Sequence, residues 1–156
     1  MRILVLSDSH RVASRVRKAV ELIENVSMII HLGDGERDTY CLDDLPENVK
    51  LYQVKGNCDF ASDLPSTLLL EARGKRIFCT HGHIFHVKHG DSLLIQEAER
   101  LNADITLYGH THDPVTKFEN GRYFFNPGSL LDGNFGYIDI VNGGINCVHL
   151  NLNDFR

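Results

Sequence analysis

The sequence predicts an α/β protein of layered construction, with two packed β-sheets and helices on their outer faces. Short apolar runs that end in polar loops alternate with amphipathic helical patterns over the first two thirds of the chain. Asn-Gly turn signals between apolar runs then mark hairpins in the last third. The 156 residues suffice for a sizeable hydrophobic core, so residues 1–156 are taken as a single domain.

The first part of the chain has a strand-helix-strand order. Residues 2–6 form a short apolar run that predicts a buried strand, and residues 28–32 and 51–55 give two more. Between the first two runs, residues 11–26 place valine and isoleucine at steps of four, four and three, which is one face of an amphipathic helix. This order predicts parallel strands whose loops lie at their carboxyl ends.

The remaining elements are two hairpin regions around a second helix. Residues 66–83 predict a hairpin with its turn at Arg73-Gly74-Lys75, and residues 92–101 predict an amphipathic helix. A strand and loop follow in residues 104–110. The last third is expected to be a β-meander, with turns at Asn120-Gly121 and Asn142-Gly143-Gly144.

The composition limits the classes of function. The formal net charge of −5 gives no electrostatic footprint for bulk nucleic-acid binding, and no apolar run approaches the ~20 residues of a membrane span. The cysteines form no C-x-x-C pair, so reduced thiols and a cytoplasmic location are expected. The four cysteines are Cys41, Cys58, Cys79 and Cys147.

Polar loops follow the predicted strands, and each carries a carboxylate, an imidazole or an amide. Because the carboxyl ends of strands in an open α/β sheet meet at one edge, we expect these loops to lie together. Imidazole and oxygen donors without a required thiolate suit Mn²⁺, Fe²⁺, Zn²⁺ or Co²⁺. The five loops are Asp8-Ser9-His10, Gly33-Asp34, Gly56-Asn57-Cys58-Asp59, Thr80-His81-Gly82-His83 and Gly109-His110-Thr111-His112.

The spacing of these side chains favours a pair of metal ions. Residues two apart in an extended segment face the same way, so Asp8 and His10 can reach one ion, while His110 and His112 can each reach one of two ions. Two ions about 3.5–4 Å apart require a bridging carboxylate, for which Asp34 is the candidate. Each pattern alone is more typical of a polar loop, and only their ordered occurrence predicts a metal site.

In this order the motifs D-x-H, G-D, G-N-x-D, H-G-H and G-H-T-H resemble those of the calcineurin-like metallophosphoesterases, in particular the compact YfcE-type phosphodiesterases. The resemblance implies a four-layer α-β-β-α sandwich with two mixed sheets. It also implies two divalent ions, with Mn²⁺ preferred over Fe²⁺, Zn²⁺, Co²⁺ or Ni²⁺. The implied ligands are Asp8, His10, Asp34 and His112 for the first ion, and Asp34, Asn57, His81 and His110 for the second.

Cys58 stands where many members of this family have a histidine that steadies the leaving group. This departure favours phosphodiester over phosphomonoester cleavage, and the sequence "GDGERDT" also lacks the pattern of protein serine/threonine phosphatases. Asn57 and Cys58 are taken as candidate substrate contacts. His83 is the candidate catalytic side chain, which orients the phosphate or assists the leaving group, with plain support of a metal ligand as the alternative.

The predicted activity is hydrolysis of a small phosphodiester by a hydroxide that bridges the two ions. A phosphomonoesterase is the alternative within the same chemistry, and a non-enzymatic scaffold, like the retromer subunit of this fold, is the alternative outside it. The filled ligand positions favour the enzyme, and a structural zinc protein is disfavoured because such sites usually recruit cysteine. The sequence leaves monomer and homodimer open. His31, in a predicted strand, is expected to be a hydrogen-bonded core residue.

Overall fold

The computed structural model describes residues 1–155. Within this range the strands form two five-stranded sheets, each of which mixes parallel and antiparallel pairs. The strands are β1 (Arg2–Leu6), β2 (Val26–His31), β3 (Lys50–Gln53), β4 (Thr67–Ala72), β5 (Lys75–Thr80), β6 (Ile105–Leu107), β7 (Val115–Glu119), β8 (Arg122–Asn126), β9 (Asn134–Val141) and β10 (Gly144–Asn151).

The first sheet has the order β10-β9-β1-β2-β3, and the second has the order β4-β5-β6-β8-β7. In the first sheet β1, β2 and β3 are parallel, as the strand-helix-strand pattern predicted. In the second sheet β5, β6 and β8 are parallel, and the hairpin partners β4 and β7 form its edges. The loops that carry the predicted site therefore follow strands of both sheets.

Three apolar layers hold the sheets and helices together. Alternate residues of β1 face opposite ways: Ile3 and Val5 pack between the sheets, whereas Leu4 and Leu6 pack beneath the first helix. On the far side, Phe78 of the second sheet packs against the second helix. The predicted four-layer α-β-β-α sandwich with two mixed sheets is thereby confirmed.

The two α-helices are α1 (Ala13–Leu22) and α2 (Ser92–Arg100). The first is shorter than residues 11–26 suggested, because Arg11 and Asn25 have positive φ angles of 69° and 61°, which a right-handed helix does not admit. Short 3₁₀ helices also occur, including Glu36–Cys41 after the second polar loop, which the sequence patterns did not indicate.

The last third is not the continuous β-meander that the turn signals predicted. Both Asn-Gly turns do form hairpins, but β7 and β8 belong to the second sheet while β9 and β10 belong to the first. Local turn chemistry specifies the hairpins, whereas the sheet that each joins depends on distant strands. No helix among the described residues is long and apolar enough to cross a membrane. The four cysteines carry free thiols.

Candidate metal centre

The site lies where the polar loops of the two sheets meet, rather than along one edge of a single sheet as the sequence suggested. Within the first sheet, the backbone N–H of Asp8 donates to the Gly33 carbonyl over 3.0 Å. Two bonds then join the sheets: His81 Nδ1 lies 2.7 Å from the Leu32 carbonyl, and the His110 backbone N–H donates to Asp8 Oδ2 over 3.1 Å. Two sheet edges thus contribute to one site.

Five of the predicted ligands have left-handed backbones. This finding replaces the extended conformation that was assumed for the Asp-x-His and His-x-His pairs, since turns bring these side chains together. A positive φ costs a residue with a Cβ atom about 1 kcal/mol or more. Such strain persists only where surrounding bonds hold it, as the bond of 3.0 Å from the His10 N–H to the Asp34 carbonyl does here. The residues are Asp8, His10, Asp34, His110 and His112, with φ between 45° and 68°.

Asp8, His10 and His112 form the first group of candidate ligands. Asp8 Oδ1 lies 3.2 Å from His112 Nε2 and 3.6 Å from His10 Nε2. The two Nε2 atoms lie 3.2 Å from each other. Three donor atoms from two loops distant in sequence, with His10 and His112 separated by 102 residues, therefore converge on one small volume.

Asp34, His81 and His110 form the second group. Asp34 Oδ2 lies 3.3 Å from His81 Nε2 and 3.9 Å from His10 Nε2, so this carboxylate stands between the two groups. The side-chain oxygen of Asn57 lies 3.1 Å from His81 Nε2. The position of Asp34 is the one that a bridging ligand requires.

The donor atoms suit cations, because Asp8 presents an oxygen that no hydrogen bond occupies. Its Oδ2 accepts from the Ser7 hydroxyl over 2.6 Å and from the His110 N–H. Its Oδ1 is buried and has no hydrogen-bond partner among the described residues. An unpaired buried carboxylate oxygen is costly unless a cation balances it. The residues therefore fit the metal ions that the family resemblance implies.

His81 is oriented as metal-ligating histidines are. Because the Leu32 carbonyl can only accept, Nδ1 carries a proton, and Nε2 faces the carboxylates of Asp8 and Asp34, where loss of its own proton would leave a lone pair for a cation. Burial lowers the pKa of His81, but hydrogen bonding to Asp34 and the charge of Asp8 outweigh it, and the net pKa is raised. Burial likewise opposes ionisation of Asp34, yet His81 and the Cys58 N–H lower its pKa well below the usual range.

His110 differs from His81, since burial and the neighbouring His81 and Lys88 charges lower its pKa to about 4. Its imidazole is consequently neutral at pH 7 and keeps a lone pair for a cation. Its ring centroid lies 5.0 Å from that of His81. A neutral imidazole beside two carboxylates is the donor set that divalent transition ions accept.

His83 and Cys58 both lie beside the candidate ligands. The His83 ring centroid is 5.4 Å from that of His81, and burial followed by the His81 charge lowers the His83 pKa. The backbone N–H of Cys58 donates to Asp34 Oδ1 over 2.7 Å, while its thiol is exposed. Burial and the Asp34 charge raise the pKa of that thiol, so Cys58 is a neutral thiol rather than a nucleophilic thiolate.

Asp59 is the main supporting residue to which the sequence patterns assigned no role. Its Oδ2 accepts from the N–H groups of Asp34 and Gly56 over 2.7 Å and 2.8 Å. Its Oδ1 accepts from Gly35 and Glu36 over 3.0 Å and 3.1 Å. One carboxylate thus ties the loop of Asp34 to the loop of Asn57, and its place in the G-N-x-D motif was the available signal.

A second supporting network lies under His10. The Gly33 N–H donates to His31 Nδ1, which leaves the proton on Nε2, 3.0 Å from the Ser9 hydroxyl. That hydroxyl donates to Asp38 Oδ2 over 2.5 Å. Burial lowers the pKa of His31 to about 4, so it is the neutral, hydrogen-bonded core residue that was expected. No sequence spacing indicated Asp38, which is 29 residues from Ser9.

A cleft of about 390 Å³ opens beside the candidate ligands. His10, Asp34 and Cys58 line it, together with Asp59. Three larger side chains, from the residues that follow the ligand loops, line it as well: Arg11, Arg37 and Phe60. The cleft is therefore the space from which a substrate would reach the donor atoms.

Known proteins resemble this chain along most of its length. A probable metallophosphoesterase, YsnB of Bacillus subtilis, is 37% identical over 131 residues, which cover 83% of this chain and 75% of that protein. The phosphodiesterase YfcE of Escherichia coli K12 is 30% identical over 155 residues, with 83% and 79% of the two chains covered.

Solved structures share the fold. A predicted phosphoesterase from Streptococcus pneumoniae superposes with a TM-score of 0.80 at 30% identity, over 96% of this chain and 88% of that one. The zinc complex of Vps29 from Entamoeba histolytica does so with a TM-score of 0.73 at 26% identity, over 97% and 99% of the chains. The sequence profile of the calcineurin-like phosphoesterase superfamily domain matches residues 1–138. The chain therefore belongs to the calcineurin-like phosphoesterase superfamily.

Proposed function

We propose that this protein is a phosphodiesterase that depends on two divalent ions, with Mn²⁺ preferred over Fe²⁺, Zn²⁺, Co²⁺ or Ni²⁺. The observation that carries the proposal is Asp8 Oδ1, a buried oxygen without a hydrogen-bond partner among the described residues, which lies 3.2 Å, 3.6 Å and 3.9 Å from the Nε2 atoms of three histidines. Membership of a phosphoesterase superfamily and phosphodiesterase-named relatives support it.

The candidate ligands divide into two sets that share Asp34. Asp8, His10 and His112 would hold one ion with Asp34. Asn57, His81 and His110 would hold the other, again with Asp34. When bound, two such ions polarise a phosphate ester and lower the pKa of a water molecule so that it can attack phosphorus.

The protein's own groups orient the substrate in this proposal. His83 stands beside His81, with ring centroids 5.4 Å apart, and from there it would orient the phosphate or assist the leaving group. Asn57 and Cys58 are exposed beside the ligands and would contact the ester. Because a thiol is a weak proton donor, Cys58 favours diesters over the monoesters that many histidine-bearing relatives are thought to cleave.

Metal binding and turnover are tested separately. After removal of metal by a chelator, calorimetric titration with Mn²⁺ should give two ions per chain, and bis(p-nitrophenyl) phosphate should be cleaved faster than p-nitrophenyl phosphate. Asp34→Asn should abolish turnover and lower the metal stoichiometry, whereas Asp63→Asn, at an exposed position, should change neither. Full activity of Asp34→Asn would contradict its bridging role.

A scaffold is the second candidate, because Vps29 shares this fold at 26% identity. Metal binding without turnover of either ester would favour the scaffold. If the protein binds no metal, the proposed metal-dependent hydrolysis is wrong. The proposed substrate is a small phosphodiester. The proposed location is the cytoplasm, whose reducing conditions agree with the free cysteines. Light scattering after size exclusion would decide between monomer and homodimer.

A further inference from the structure

Three exposed side chains surround the mouth of the cleft, and the candidate ligands do not account for them. Arg11 follows His10 directly, Arg37 lies three residues after Asp34, and Phe60 follows the Asn57 loop. Each belongs to a different ligand loop, yet all three line the same cleft. The loops thus bring two guanidinium groups and one phenyl ring to the entrance of the site.

Phe60 presents an aromatic face to solvent from a fixed backbone. Its side chain is 80% exposed, which is unusual for a residue that burial would stabilise by about 2 kcal/mol. The preceding Asp59 accepts four backbone N–H groups, so the chain beside Phe60 is anchored to the loops of the site. A ring held at the mouth of a cleft is a surface on which a flat group can stack.

Arg11 and Arg37 have no salt-bridge partner among residues 1–155, whereas other arginines such as Arg2, Arg17 and Arg100 have one. Two of the acidic residues that line the cleft already accept hydrogen bonds from other groups. Asp38 accepts from the Ser9 hydroxyl and the Arg11 N–H, and Asp59 is fully used by backbone donors. The backbone N–H of Arg11 donates to Asp38 Oδ2 over 3.0 Å, and the residue has a φ of 69°, two residues before α1 begins.

From this rim we infer that the substrate is a small nucleotide diester: its base stacks on Phe60, and a second phosphate outside the scissile ester binds Arg11 and Arg37. The inference rests on the proposed function and names its substrate class. Guanidinium groups bind phosphate oxygens in a bidentate way, and an aromatic ring stacks on any base. A glycerophosphodiester has no flat group for Phe60. A nucleic-acid polymer would need more basic surface than a chain of net charge −5 offers.

Three nitrophenyl esters with the same leaving group separate the two contacts. The reference is methyl p-nitrophenyl phosphate, the second is the p-nitrophenyl ester of thymidine 5′-phosphate, and the third is that ester with an added 3′-phosphate. For each variant, the ratio of kcat/KM between two of these esters measures the contribution of the base or of the second phosphate. A change in the metal centre affects all three esters and cancels in the ratio. Calorimetric titration of the Mn²⁺-loaded protein with thymidine 3′,5′-bisphosphate measures binding without turnover.

In the natural protein the thymidine ester should exceed the methyl ester by about tenfold, as expected for one base stacked on an aromatic ring. Phe60→Ala should remove this preference. The 3′-phosphate should add about threefold for each arginine, which Arg11→Gln and Arg37→Gln should each lose, since exposed ion pairs contribute little. The same variants should weaken binding of the bisphosphate by matching factors.

Matched controls are available on the same surface. Tyr40→Ala removes another aromatic side chain, 68% exposed but outside the cleft, and Arg73→Gln removes an exposed arginine in the β4–β5 turn. Both should leave the ratios and the bisphosphate affinity unchanged. Equal cleavage of the methyl and thymidine esters, or bisphosphate binding that Phe60→Ala does not weaken, would overturn the inference while the phosphodiesterase stands. If the natural protein binds two ions but cleaves none of the esters, the proposed phosphodiesterase activity is wrong. The bisphosphate titration would still show whether the nucleotide-binding site exists.

Discussion

Replacement of Asp59 by asparagine tests whether the loops of the site are held together by one carboxylate. The two oxygens of Asp59 accept four backbone N–H groups, at 2.7 Å and 2.8 Å on Oδ2 and at 3.0 Å and 3.1 Å on Oδ1. The amide group of asparagine can accept with one oxygen only, so two N–H donors lose their partner whichever way it turns. Each lost bond costs about 1 kcal/mol after a discount for partial exposure, which gives about 2 kcal/mol in total.

Urea unfolding of the chelated protein measures this loss, and a drop of about 2 kcal/mol corresponds to a melting temperature lower by about 4–8 °C for a chain of this size. The same change should weaken Mn²⁺ binding by about tenfold or more, because residues that orient ligands contribute that much. Asp63→Asn is the matched control at an exposed site four residues away. If Asp59→Asn unfolds at the same urea concentration as the control, Asp59 does not join the loops.

Three further changes have defined outcomes. A Cβ at Gly56 would press on Asp34 Oδ1 and lie 2.6 Å from the Asp34 nitrogen, so Gly56→Ala should lose Mn²⁺ in a calorimetric titration. Gly74→Ala, with open space around it, should keep Mn²⁺, and equal stoichiometry in both would contradict the packing argument. The pKa of His31 is lowered to about 4 in the folded protein. Between pH 6.5, near the ordinary pKa of histidine, and pH 4, His31 is therefore protonated in the unfolded chain but neutral in the folded protein. His31 should therefore lower the unfolding free energy by about 2 kcal/mol from pH 7 to pH 4.5, and His31→Gln should lose this share of the pH dependence; a variant with the same pH slope as the natural protein would refute it. Cys58→His should raise monoester relative to diester cleavage, since an imidazole donates a proton more readily than a thiol, and an unchanged ratio of the two rates would exclude a leaving-group role at this position.

The strands of the core could be predicted because their signal is local. The run from Ile3 to Leu6 alternates between the inter-sheet layer and the layer beneath α1, and any strand of these residues would bury both faces. The hairpin turns at Gly74 and Gly121 follow equally from residues that tolerate positive φ. Helix ends were less predictable, since the termini of α1 depend on left-handed residues whose conformation is fixed by partners elsewhere, such as the bond from the Arg11 N–H to Asp38.

The candidate ligands were found from the sequence because each stands at the end of a strand beside a turn. The reason given for their spacing was wrong in part: Asp8 and His10, like His110 and His112, are brought together by left-handed turns and not by an extended segment. The role of Asp59 could not be predicted from the sequence. Its carboxylate accepts four N–H groups from two loops, and these groups come together only when the loops pack side by side.

The order of donor-bearing loops along the chain determined the family and the residues that could hold metal, because imidazoles and carboxylates at strand ends are a property of the sequence itself. Only the tertiary structure decided that two sheets share the site, that Asp8 keeps one oxygen free of hydrogen bonds, and that Arg11, Arg37 and Phe60 reach one cleft. The reason is physical: residue identity and local periodicity are written along the chain, whereas burial and hydrogen bonding depend on which distant segments pack together.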